Sequence, residues 1–105
     1  MADQNLTMVR GDTLAFGLEY DGTEQDLDSA YFTVKNSADA VDPVAQLSIG
    51  FGITKTGTGK YVVRLAPENT RDIEPGVYYY DFAVGINGDV FTLMIGALTI
   101  MQDYR

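Results

Sequence analysis

The chain contains no cysteine, no histidine and no tryptophan, and each absence removes a class of chemistry. Without cysteine there is no disulfide framework, and nothing calls for an oxidising compartment. Without histidine or cysteine, the Ser-His-Asp triads, Cys nucleophiles and His-containing zinc sites cannot be assembled. Bases are scarce as well: seven Lys and Arg against fifteen Asp and Glu leave a net charge of −8. That balance favours solubility and repels phosphate backbones and anionic membrane surfaces, so neither nucleic acid nor membrane is an expected partner. No stretch approaches the length of uninterrupted apolar sequence that a spanning helix needs. Met1–Asn5 lacks the basic and then apolar pattern of a secretion signal.

Carboxylates remain the obvious reactive groups. Cutting a glycosidic bond needs two acids held across a cleft, and no spacing here singles out such a pair. The expectation is a protein that is not an enzyme and implies no cofactor.

What is present is a core. At 105 residues, with 46% apolar side chains, seven Tyr and five Phe, residues 1–105 suit a single domain burying roughly 65% of its unfolded surface. The patterning has period two. Leu6–Val9 reads as a first strand, ended by Arg10-Gly11-Asp12. From Thr13 to Tyr20, Leu14, Phe16, Leu18 and Tyr20 share one face, while Thr13, Ala15, Gly17 and Glu19 share the other; Asp21-Gly22 breaks that run. Ala30, Phe32 and Val34 point inward in the next strand, leaving Tyr31, Thr33 and Lys35 outside. Asn36–Gln46, polar and holding Pro43, reads as a loop, with a short edge strand as the alternative. Leu47, Ile49, Phe51 and Ile53 then alternate through Gly50 and Gly52, followed by a Gly-rich connection and the strand of Tyr61, Val63 and Leu65. Asn87-Gly88 is a strong hairpin signal, because both positions tolerate positive φ. In the last strand, Val90–Met101, the apolar phase changes between Ile95 and Leu98. A bulge at Gly96-Ala97 would bring Phe91, Leu93, Ile95, Leu98 and Ile100 to one core.

The segment Pro67–Asp81 supplies the connection. One polar helical turn ends at Ile73, Pro75-Gly76 makes a turn, and a strand begins with Tyr78 and Tyr80 on one side. That order matches the corner before strand F of an immunoglobulin-like domain, where a buried Tyr hydrogen-bonds back to upstream backbone. Ile73, Pro75, Gly76 and Tyr78 are therefore the structural corner. The expected fold is all-β: an immunoglobulin-like antiparallel β-sandwich of about seven strands, held without a disulfide.

The same residues carry a family resemblance. Met8-Val9-Arg10-Gly11-Asp12-Thr13, Asp26-Leu27, Gly59-Lys60-Tyr61-Val62-Val63, Leu65–Thr70, Pro75–Asp81 and Gly96–Ile100 resemble the immunoglobulin-like N-terminal domain of bacteriophage baseplate upper proteins and related phage tail and prophage structural proteins. The resemblance spans residues 6–102. It implies a virion structural or docking role in tail or baseplate, exerted on other virion proteins or by self-association. The implied location is the virion, or the bacterial cytoplasm during assembly.

Tyr31, Thr33, Val77, Tyr79, Thr92 and Met94 should share the outer face of the sheet formed by the third, sixth and last strands. Tyr and Met are enriched at protein interfaces, which makes this face the candidate interface. An alternative use of Tyr31 and Tyr79 is as stacking platforms of a carbohydrate- or cell-surface-binding module. A third role that fits the fold is a prophage-encoded cytoplasmic assembly factor. Two further motifs read as structural. Arg10-Gly11-Asp12 spells an integrin tripeptide, but it joins two strands, where Gly11 serves the turn. The acids Glu19, Asp21, Glu24, Asp26 and Asp28 cluster around one loop without a calcium-loop register, and read as a solvated loop.

Overall fold

The computed structural model describes residues 4–19, 27–37, 39–57 and 59–104. They form eight strands: β1 (Leu6–Val9), β2 (Leu14–Glu19), β3 (Ser29–Lys35), β4 (Ala45–Ile49), β5 (Gly52–Gly57), β6 (Lys60–Leu65), β7 (Gly76–Ile86) and β8 (Asp89–Met101). One helical turn, α1 (Pro67–Thr70), lies between β6 and β7. Hydrogen bonding links the strands in the order β1-β8-β7-β3-β4-β5-β6-β2. The ribbon folds over at the β4–β5 junction into two layers, an immunoglobulin-like β-sandwich. Two pairings are parallel: β1 lies along β8, and β4 meets β5 through Ser48–Gly52 and Ile49–Ile53.

Alternation explains most of the core. Ala30, Phe32 and Val34 of β3 are buried, as are Tyr61, Val63 and Leu65 of β6 and Tyr78, Tyr80 and Phe82 of β7. Leu14 and Phe16 of β2 pack against that cluster. Phe32 stacks on Tyr80 with centroids 5.2 Å apart and meets the edge of Phe16, from the opposite layer, at 5.8 Å. An aromatic group therefore joins the two layers where an antibody domain places its disulfide and Trp. Tyr20 and the Asp21-Gly22 break lie outside the described residues, as does the Leu18 side chain.

The Leu47–Ile53 run does not form one strand. Leu47 and Ile53 are buried, but Phe51 is 77% exposed. Gly50 and Gly52 take φ of +89° and +98°, which breaks the pleat and carries the chain from one layer to the other. That break turns the expected seven strands into eight.

The phase change in β8 also sits elsewhere than expected. Gly96 pairs with Tyr80 and Ala97 with Tyr79 in unbroken register, and the irregularity falls at Phe82–Met94 and Ala83–Thr92, leaving Leu93 as the extra residue. Ile95 consequently turns outward, and Met94, paired with Phe82, packs against the core. Gly96 has a different task. A Cβ there would lie 2.1 Å from the carbonyl oxygen of Gln4, so its bareness admits the chain entering β1.

The Asn87-Gly88 hairpin forms as read, with φ of +54° and +83° and Ile86 opposite Asp89. The corner after α1 is tied from several sides. The Ala66 amide donates to Asn69 Oδ1 at 2.7 Å, the Gly11 amide to the buried Thr70 hydroxyl oxygen at 2.9 Å, and the Ile73 amide to the Thr70 carbonyl at 3.0 Å.

Candidate interaction face

Strand pairing fixes which side chains share the outside of the larger layer. Opposite residues point the same way, so the pairs Tyr31–Ala83, Thr33–Asp81, Lys35–Tyr79, Val77–Thr99, Tyr79–Ala97, Asp81–Ile95 and Ala83–Thr92 define one surface. Gln46 and Ser48 of β4 continue it beside Thr33 and Tyr31. On the far side, Thr7 and Val9 of β1 adjoin Thr99 and Met101.

Five of the six residues assigned to the candidate interface come together here: Tyr31, Thr33, Val77, Tyr79 and Thr92. Met94 does not. Because the extra residue is Leu93 and not one at Gly96-Ala97, Met94 sits one register step from its expected side and faces inward. Ile95 takes the outward position, and Val90 and Met101 extend the apolar area. Tyr31, Val77, Tyr79, Ile95 and Met101 are each 45–55% exposed.

The polar groups on this face are mostly uncharged. Gln46 Nε2 donates to Thr33 Oγ1 at 3.0 Å, fixing one edge. Lys35 and Asp81 are the two charged side chains that the register places on it. They border a hollow of about 490 Å³ together with Thr33, Tyr79, Ile95 and Ala97. Sequence patterning missed Ile95 because it depended on the bulge position. It passed over Lys35 and Asp81 because lone charges on a wet face are ordinary.

Beneath this surface, Tyr80 donates its hydroxyl hydrogen to the Gln4 carbonyl oxygen. Burial raises its pKa above the ordinary value of 10.0, since the phenolate would lose its hydration. At the corner, the Tyr78 hydroxyl donates to the Glu74 carbonyl at 2.6 Å, and Arg10 Nη1 reaches the Ile73 carbonyl at 3.4 Å.

The remaining motifs stand apart from the face. Arg10 is engaged: its Nε donates to Asp103 Oδ1 at 2.9 Å in a half-buried ion pair. The Asp12 amide bonds back to the Val9 carbonyl at 3.0 Å, so Arg10-Gly11-Asp12 closes a turn. In the acidic cluster, Glu19 lies 3.7 Å from Lys60, and Asp28 Oδ2 accepts from the Asn87 amide at 2.8 Å. Asp21, Glu24 and Asp26 lie outside the described residues. Among the described residues, no three metal-ligating side chains gather, and no helix is long and apolar enough to cross a membrane.

No protein-family model matches the chain, and no curated protein is significantly similar to it. Among solved structures it is similar to the NK cell receptor NKp44, described as a triggering partner in natural cytotoxicity. The identity is 15% and the TM-score 0.56, over 98% of this chain and 100% of that one. At that identity the likeness concerns the immunoglobulin-like fold.

Proposed function

We propose that the chain is a phage or prophage structural module of tail or baseplate that docks, through the outer face of β8, β7 and β3, onto other virion proteins or further copies of itself. The observation that carries this reading is the composition of that face: exposed Tyr31, Tyr79, Val77 and Ile95 on a chain of net charge −8. Interface cores are depleted in charge and enriched in aromatic side chains. The phage attribution comes from the family resemblance of the turn and corner segments. Repetition on a symmetric particle makes individually weak contacts effective. A second surface available to a partner is the outer edge of β2, which among the described residues pairs with β6 alone and can accept a strand through main-chain bonds.

The test is composition of purified particles. The chain should be present, cross-links should place the Tyr79 face against a neighbour, and Tyr79→Glu should exclude the chain while leaving it folded. Absence from particles, or normal incorporation of Tyr79→Glu, overturns the reading.

A glycan-binding reading has one observation in its favour. Exposed Tyr79 stands beside a hollow also lined by Asn5, Thr33, Ser37 and Asp81, a mixture of stacking surface and hydrogen-bonding groups. Binding on a glycan array that disappears with Tyr79→Ala selects it over the docking role.

A further inference from the structure

We infer that the outer face of the larger layer pairs with a second copy of this chain, forming an isologous two-fold dimer. The inference rests on the docking reading above and names its partner.

Charge is the first argument. Two molecules each carrying −8 repel one another unless they meet where that charge is absent. The strand register leaves Lys35 and Asp81 as the charges on this face, so its own balance is zero. The other described acids lie off it: Asp12, Glu19, Asp28, Glu68, Asp72, Glu74 and Asp103 sit on other strands, turns and the corner, Asp39 and Asp42 in the β3–β4 connection, and Asp89 at the hairpin end of β8, opposite the buried Ile86. A basic partner would find nothing on the face to attract it beyond Asp81, and an acidic partner nothing beyond Lys35.

The second argument is self-complementarity. In an isologous contact, if residue i meets residue j of the second copy, j also meets i. Lys35 pairs opposite Tyr79, and Asp81 opposite Thr33, which makes Lys35 and Asp81 diagonal neighbours on one face. A two-fold axis lying between the sheets and placing Lys35 over the second copy's Asp81 produces the reciprocal contact as well. Both charges then have a partner, and neither is buried alone, the costly outcome.

Area is the third. Five strands about 4.8 Å apart, averaging about eight residues at about 3.3 Å each, make a face of about 630 Å². Mating two such faces buries roughly 1,300 Å², at the lower end of the range of about 1,200–2,000 Å² for stable specific interfaces. The exposed Tyr31, Val77, Tyr79, Ile95 and Met101 supply its apolar content, and the hollow beside Tyr79 offers a pocket for a side chain of the other copy.

Sedimentation of the purified full chain tests this. The wild type should be dimeric at micromolar concentration. Lys35→Glu and Asp81→Lys should each weaken self-association by more than about tenfold, through like-charge contacts made twice across the axis. Both variants should retain the circular dichroism and cooperative melting of the wild type. Mixed in equal amounts, the two should form a heterodimer, because each supplies the charges that the other lacks. Ile95→Lys, at a solvent-exposed position, should also dissociate the dimer and serves if either charge variant misfolds. A wild type that stays monomeric to high micromolar concentration overturns the inference. So does a dimer that survives these substitutions, or a mixture that fails to associate. The two proposals fail separately. A monomer that still needs Tyr79 for incorporation loses only the self-pairing, whereas a dimer absent from particles loses only the virion role.

Discussion

Tyr78, the first buried residue of β7, donates its hydroxyl hydrogen to the carbonyl oxygen of Glu74, four positions upstream, at 2.6 Å, closing a loop over the Pro75-Gly76 turn. The bond fixes where β7 enters the sandwich. It also ties in Ile73, whose carbonyl accepts from Arg10, and Thr70, whose hydroxyl accepts from the Gly11 amide. The corner thus joins the β1–β2 turn to the middle of the chain.

Tyr78→Phe keeps the ring and removes this bond, leaving the Glu74 carbonyl to find water. The expected loss is about 1 kcal/mol, or roughly 4–8 °C of melting temperature for a domain of this size. Thermal and urea denaturation should agree. No change in either places the corner's stability elsewhere.

Phe32 is fully buried and touches rings from β2 and β7. With no disulfide to hold the layers together, its removal opens the contact between them. Phe32→Ala should cost about 3–5 kcal/mol, a large share of the 5–15 kcal/mol typical of a whole domain. Phe32→Leu should be far milder. Chemical denaturation distinguishes these outcomes, and equal losses for both would show that the rings do not join the layers.

The junction between β4 and β5 allows a sharper comparison. Gly50 has φ of +89° with nothing within 4 Å of an added Cβ, whereas at Gly52, with φ of +98°, the Cβ would meet Leu47 Cδ2 at 2.5 Å. Gly50→Ala adds backbone strain alone, about 1–2 kcal/mol. Gly52→Ala adds that strain and displaces a buried Leu, for another 1–3 kcal/mol or so. The order of their urea midpoints checks the assignment.

These two glycines also show where sequence patterning stops. Leu14 and Phe16 of β2 and the inward residues of β3, β6 and β7 followed from alternation, because each strand keeps one face wet. Across Gly50 and Gly52 the apolar spacing continues but the pleat does not, since the spacing carries no record of φ. Phe51 therefore reads as core and is exposed. In β8 the letters show that the phase changes before Leu98, but not at which residue. Gly96 attracted the bulge because a bare residue suits one; its bareness instead accommodates Gln4. That contact joins residues distant in sequence, which local patterning does not register. Met94 and Ile95 exchanged sides as a result, while Tyr31, Thr33, Val77, Tyr79 and Thr92 fell where alternation put them.

The burial of Tyr80, whose hydroxyl donates to the Gln4 carbonyl, should give the protein a measurable alkaline limit. Burial holds the Tyr80 pKa in the folded chain above the 10.0 of an exposed tyrosine. The unfolded chain therefore releases this proton first, and its ionisation favours unfolding. The contribution is complete below pH 10 and is lost as pH rises through the folded-state value. Tyr80→Phe removes the ionisation and the bond together. At neutral pH it should be less stable than wild type by about 1 kcal/mol. As pH climbs past 10, the wild type should lose stability faster and the two curves should converge. Denaturant titrations at intervals from neutral pH upward measure the difference directly, with the ionisation of lysines and the other tyrosines common to both proteins. A gap that stays constant across that range would mean that Tyr80 titrates as freely when folded as when unfolded.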